Sequence, residues 1–379
     1  MRLALWIVAA IIAAVLILVF LQSSPPLETS TFIADREAPL LENLPTAPPE
    51  RDVDEPEGSP PTRIIGSLTP LEACQALGFG AEQYDPQTVA DVLAASENPE
   101  HLLAAHTILR GATESKEVEL LEAALEHMPN SPLAHRMALY ACEGHNSDFC
   151  VNTNWAEEYV KTDPENADAW LALMKNKQRA GDTVGALEAF KTANSAPNHT
   201  NYFIDRIRLS IRGMEAASDW STAIQTSLGL MYAAKDPADS IDVYKICRDM
   251  SEIDKVWLDT CLLYGQRLQR EAKTLLDVRM ASQIEQNAHT ILGNTKIAQR
   301  LKEERRSQKI FTVDVLAQIF FMDDRVVISD YLDTWKAEGE VTASEFLQKK
   351  YDQAPPSERQ RFRELVDRCD EIEEQLDFF

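Results

Sequence analysis

Six cysteines are the side chains best able to do chemistry here: Cys74, Cys142, Cys150, Cys247, Cys261 and Cys369. An even count fits disulfide pairing in an oxidising compartment. Cys142 and Cys150 bracket EGHNSDF, a loop between two helices, so a bond between them would staple a helical hairpin. Cys247 and Cys261 bracket RDMSEIDKVWLDT and suit the two arms of another hairpin. Cys74 and Cys369 either pair across the ends of the folded region or stay free. A metal is the competing chemistry, through Cys142, His145 and Cys150. That C-x2-H-x4-C pattern lacks a second ligand pair at the usual spacing, so no metal is expected. No C-x-x-C redox pair occurs.

Other catalytic signals are missing. There is no H-E-x-x-H, G-x-S-x-G, G-x-G-x-x-G or G-x-x-x-x-G-K-[ST]. The histidines are scattered: His101, His106 and His135 at helical positions, His145 and His199 in loops, His289 in a late helix. With 61 acids in 379 residues, a pair of neighbouring carboxylates is expected by chance. The chain is therefore read as a non-enzyme without cofactor.

The elements that would position these residues begin with an apolar block. Leu3–Leu21 holds 19 residues without charge, Pro or Gly, roughly 28 Å of helix, close to the hydrocarbon thickness of a bilayer. No A-x-A site follows it, which favours an uncleaved transmembrane anchor over a signal peptide. Arg2 precedes the block, whereas Glu28, Asp35, Glu37 and Glu42 follow it. The positive-inside rule then leaves residues 1–21 with a cytoplasmic N-terminus, and in a bacterium puts the rest in the periplasm, tethered to the inner membrane. Residues 22–64 hold nine prolines, nine acids and three arginines, the composition of an extended, disordered stalk.

The net charge is −24; four cations and nine acids fall in residues 1–64, which leaves −19 on residues 65–379. That sign argues against nucleic acid as a partner, and against the folded part lying on an anionic membrane. From residue 65 onward Ala, Leu, Glu, Lys and Gln recur at helical spacing, which predicts an all-α fold. Pro129, Pro164 and Pro197 mark a period of 35 and then 33 residues. The clearest unit is Ala167–Asn198, with Trp170 and Leu173, the turn Gly181-Asp182, then Ala186, Phe190, Ala193 and Pro197.

That unit resembles a tetratricopeptide (TPR) repeat. Met174 and Lys177 depart from the pattern. The resemblance is good over about 98–199 and weaker to about 300, with Asn201–Met231 and Ser240–Gln269 as divergent helix pairs. It implies a right-handed superhelix over 65–310, closed by a C-terminal helical module at 311–379 whose last helix would be capped by Ser357. It also implies a concave surface lined by Arg136 and Tyr140, then Leu171, Lys175 and Arg179, then Asp205, Leu209 and Arg212. The cationic members would suit an acidic peptide or a C-terminal carboxylate. Arg300, Lys302, Arg305, Arg306 and Lys309, interrupted by Glu303 and Glu304, read as an exposed helix with i,i+4 pairs. The tail Asp370–Phe379 is acidic, and Phe378 and Phe379 are expected to dock on the domain.

In layout the chain resembles membrane-anchored periplasmic TPR proteins, which assist secretion, envelope assembly or cytochrome maturation. The expected function is a scaffold or chaperone-like adaptor that holds a partner segment. A cell-wall (peptidoglycan) enzyme or its regulatory subunit is the alternative, since soluble lytic transglycosylases also combine a helical superhelix with a catalytic glutamate. Their lysozyme-like domain is larger than residues 311–379, and Glu345 in Ala343-Ser344-Glu345-Phe346 lacks its surroundings. A self-assembling structural protein is a third class.

Overall fold

The computed structural model describes Cys74, residues 85–110, 114–143, 145–234, 239–307 and 320–367, and Cys369. The chain divides into two units, 1–64 and 65–379, and every described residue belongs to the second. The expected anchor and stalk, Lys309 and the tail 370–379 therefore lie outside the described residues. Among the described residues no helix is long and apolar enough to cross a membrane.

The fold is all-α, as the spacing predicts. Among the described residues seventeen helices run in order: α1 Pro86–Ala94, α2 Pro99–Leu109, α3 Glu114–His127, α4 Pro132–Ala141, α5 Asp148–Val151, α6 Trp155–Thr162, α7 Ala167–Arg179, α8 Thr183–Ser195, α9 Phe203–Ala217, α10 Thr222–Ala233, α11 Asp239–Ser251, α12 Lys255–Glu271, α13 Leu275–Ile291, α14 Thr295–Ser307, α15 Arg325–Glu338, α16 Glu340–Gln353 and α17 Pro356–Val366.

Local sequence explains most starts. Asp85, Asn98 and Ser131 each accept backbone N–H bonds at the head of a helix whose first residue is proline, fixing φ where no donor is needed. Asp182 and Asp254 cap α8 and α12 in the same way. Thr274 and Asp277 bond reciprocally at the start of α13. The last helix differs from expectation: it starts at Pro356, with Pro355 in the cap position and no side-chain cap, so Ser357 lies inside it.

Among the described residues three large apolar cores hold the array, beside a small cluster of Tyr159, Ala169 and Ala172. The first joins α1–α4 to α9 and α10 through Leu93, Leu103, Leu121, Met137, Leu209 and Leu228. The second joins the other side of α9, at Ile204 and Ile207, to Phe320, Tyr331, Trp335, Tyr351 and Phe362. Residues 320–366 thus share their core with α9 and α10. The third joins α6–α8 to α11–α13, where Phe190 stacks on Trp257 and Tyr264 at centroid distances of 5.8 and 5.4 Å.

The arrangement is not a plain nearest-neighbour stack. In a solenoid each repeat touches only its neighbours. Here α9 returns to pack on α1 and α2, whereas α11 and α12 pack on α7 and α8. Gly213 permits the return: a Cβ on it would lie 2.6 Å from Ala104 Cβ of α2, far inside van der Waals contact. Cores two and three are clasped at two turns, where Lys273 O accepts from both Trp335 Nε1 (2.9 Å) and Glu340 N (2.8 Å).

All six cysteines are paired: Cys142–Cys150, Cys247–Cys261 and Cys74–Cys369. The first ties the end of α4 to α5, and the second ties α11 to α12 inside core three. The third joins positions 295 residues apart.

Candidate partner-binding site

The eight residues expected to line one groove fall into two environments. Those on α4 and α7 mostly face inward. Arg136 donates from Nε to Asp168 Oδ2 at 2.8 Å, and Tyr159 donates to the same oxygen at 2.9 Å. The Tyr140 ring lies between the Arg136 guanidinium (4.8 Å) and the Lys175 ammonium (5.1 Å). Lys175 Nζ also donates to Tyr140 Oη at 3.3 Å and sits 3.8 Å from Asp242 Oδ2. Burial, followed by the Asp168 charge, holds the Tyr159 phenol well above its usual pKa. Leu171 is packed in core three. Arg136, Tyr140, Tyr159, Asp168, Leu171 and Lys175 are all buried, so they knit α4, α6, α7 and α11 together. Arg179 alone of the α4–α7 set is exposed, paired with Glu143 at 2.6 Å.

The α9 set is different. Asp205, Leu209 and Arg212 line a cleft of about 680 Å³ between α2, the α3–α4 turn, α9, α10 and α15. Its apolar surface comes from Leu103, Met128, Leu133, Leu209, Ile328 and Leu332. Its rim is charged. Asp205, Arg208 and Arg212 follow one stripe of α9 at three- and four-residue intervals, so their side chains emerge on one face. Four ion pairs surround the opening: Arg212–Glu100 (3.5 Å), Arg325–Glu215 (3.2 Å), Arg208–Asp333 (2.5 Å) and Lys336–Asp205 (2.6 Å). Arg212 and Arg325 remain 61% and 63% exposed. A guanidinium carries five donors, so one carboxylate does not exhaust it.

The edge of the cleft also holds strained backbone. Tyr202 adopts φ 54°, the left-handed region, directly before α9. It is held there by its hydroxyl, which donates to Asp163 Oδ2 at 2.7 Å, while Asn201 Oδ1 accepts from the Phe203 N–H at 3.1 Å.

Arg208 was within reach of sequence reasoning, being one helical turn from Arg212 on α9. Glu100, Arg325 and Asp333 were not. They arrive from elements more than a hundred residues away in sequence, and no local pattern marks them. The metal alternative is closed by the Cys142–Cys150 bond, which leaves neither sulfur as a thiolate ligand. Among the described residues no cluster of His, Cys, Asp or Glu is arranged to hold a metal ion. In comparison with known proteins, no family model matches the chain and no curated relative matches it.

Proposed function

We propose that this chain is a non-catalytic adaptor that takes a segment of a protein partner into the cleft between α2, α9 and α15. Residues 3–21 act as an inner-membrane anchor, residues 22–64 as a spacer, and residues 65–379 as a periplasmic helical array whose α2–α8 hairpins are of the TPR-like kind. The cleft carries the reading. Its apolar floor offers pockets for one or two aliphatic or aromatic anchors, and its rim offers exposed guanidinium groups for acidic residues on the same segment. Apolar anchors ringed by polar contacts are the usual economy of such recognition. The three cysteine pairs are in keeping with an oxidising compartment.

The test uses the full chain. Crosslinking in cells followed by mass spectrometry is expected to recover a partner with adducts around Glu100, Arg208 and Arg325. The double variant Arg212→Glu with Arg325→Glu is expected to lose that partner and still fold, because both side chains are exposed. An unchanged crosslinking profile in the folded double variant would rule the cleft out. Reversing Lys175 would not serve, since its ammonium lies inside the protein and the change would report on folding.

A further inference from the structure

The cleft and the stretch that follows the last cysteine carry matching patterns. Asp370–Phe379 reads DEIEEQLDFF, in which five of ten residues are acidic and none is basic. Ile372, Leu376 and Phe379 recur at i, i+4 and i+7, the spacing of one helix face. At the same spacing Asp370, Glu373, Glu374 and Asp377 fall on the opposite face. Apolar anchors at i, i+4 and i+7 are what a hydrophobic groove reads in an amphipathic segment.

A fixed point brings this segment to the cleft. Cys369 is bonded to Cys74 and only 1% exposed, so the segment departs from a pinned residue. Three residues earlier, Val366 packs on core two, the cluster whose Ile328 and Leu332 also floor the cleft. Packed helices lie roughly 8–10 Å apart, whereas ten residues span up to about 33 Å when extended. The floor is within reach.

We infer that residues 370–379 occupy the cleft of their own chain and compete there with the partner segment. Ile372, Leu376 and Phe379 meet the apolar floor, and the acidic face turns to Arg212 and Arg325. The competition rests on the reading of the cleft as a partner site; the contact itself does not. The rim is balanced, with four cations each facing a carboxylate of this chain. The apolar stripe therefore supplies most of the contact, and the acids orient it. Exposed ion pairs contribute only about 0–1 kcal/mol each, so they yield readily to a carboxylate of the tail. A short tether holds its segment at an effective concentration on the order of millimolar, so weak intrinsic affinity suffices. That favours the chain's own tail over the tail of a second copy.

The purified full chain carrying Leu376→p-benzoylphenylalanine tests the contact with no partner present. Irradiation is expected to join position 376 to α9 or α15 of the same chain, at a yield independent of protein concentration. Adding Ile372→Ser with Phe379→Ser is expected to lower that yield several-fold. Crosslinks confined to other helices, none at all, or crosslinks between two chains overturn the proposal. In cells, removing residues 370–379 is expected to raise partner crosslinks around Glu100, Arg208 and Arg325 several-fold, and an unchanged level overturns the competition. The removal keeps the Cys74–Cys369 bond and every core residue named above, so the shortened chain should fold. A chain that captures a partner but gives no crosslink from position 376 overturns the tail contact alone. Crosslinks from position 376, with no partner captured by either chain, overturn the adaptor reading and the competition but leave the contact.

Discussion

Arg136–Asp168 and Arg212–Glu100 are chemically the same pair, a guanidinium and a carboxylate, placed in opposite surroundings. The first is 2.8 Å long with both partners 2% exposed; the second is 3.5 Å long with its partners 61% and 55% exposed. Both arginines come from the same reasoning about helix faces. Buried, the pair is structural, because each charge has lost its water and depends on the other. Exposed beside an apolar cleft, it stabilises little and keeps donors for a ligand. Residue type and helical register are thus shared by the two sites, and packing alone separates their roles.

The largest expected effect sharpens that contrast. Arg136→Ala strands the Asp168 carboxylate in the interior and should destabilise the fold by about 3–5 kcal/mol. Arg212→Ala should cost no more than about 1 kcal/mol. Urea unfolding of both variants measures the gap, and similar midpoints would break the comparison.

A second effect probes the same interior through pH. His106 is fully buried, with Nδ1 donating to Glu117 O at 3.3 Å, and burial, helped by Arg110, lowers its pKa to about 3. The folded protein therefore keeps His106 neutral while the unfolded chain takes up a proton below about pH 6.5. Stability contributed by the neutral ring is full above that pH and is lost as pH falls from about 6.5 towards 3, up to roughly 5 kcal/mol in all. His106→Gln should flatten this part of the stability–pH curve relative to the parent chain. An unaltered slope would mean that the ring is solvated.

A smaller effect links the two regions. Gly213→Val places side-chain atoms against Ala104, where α9 meets α2, and overpacking of this kind costs about 1–3 kcal/mol. It should also spread the cleft, because Leu209 and Arg212 are carried on the same helix. Loss of stability with partner crosslinks intact would separate α9 packing from the site.

Much of the helical layout was legible beforehand. Pro129, Pro164 and Pro197 marked the period of the hairpins, and Gly181-Asp182 marked the α7–α8 turn with Ala186, Phe190 and Ala193 on the second helix, where all three are buried. The two short cysteine pairs were legible because few residues separate their members. The Cys74–Cys369 bond was left open, since nothing local brings positions 295 apart together. The groove was read as one surface. It became two regions because α9 leaves the succession of hairpins and packs on α2.

What the sequence determined by itself is what short-range physics controls: helical periodicity, caps, turns, hairpin staples, the apolar run at 3–21 and the acidic balance. These depend on residues within about a turn or two of one another, or on simple sums. The tertiary structure decided which faces are buried, that Lys175 points inward and Arg212 outward, and that Arg325 joins the rim of a cleft begun by Glu100. Those outcomes depend on whether two distant helices can approach closely. A missing Cβ at Gly213 permits that approach, and no pattern within α9 announces it.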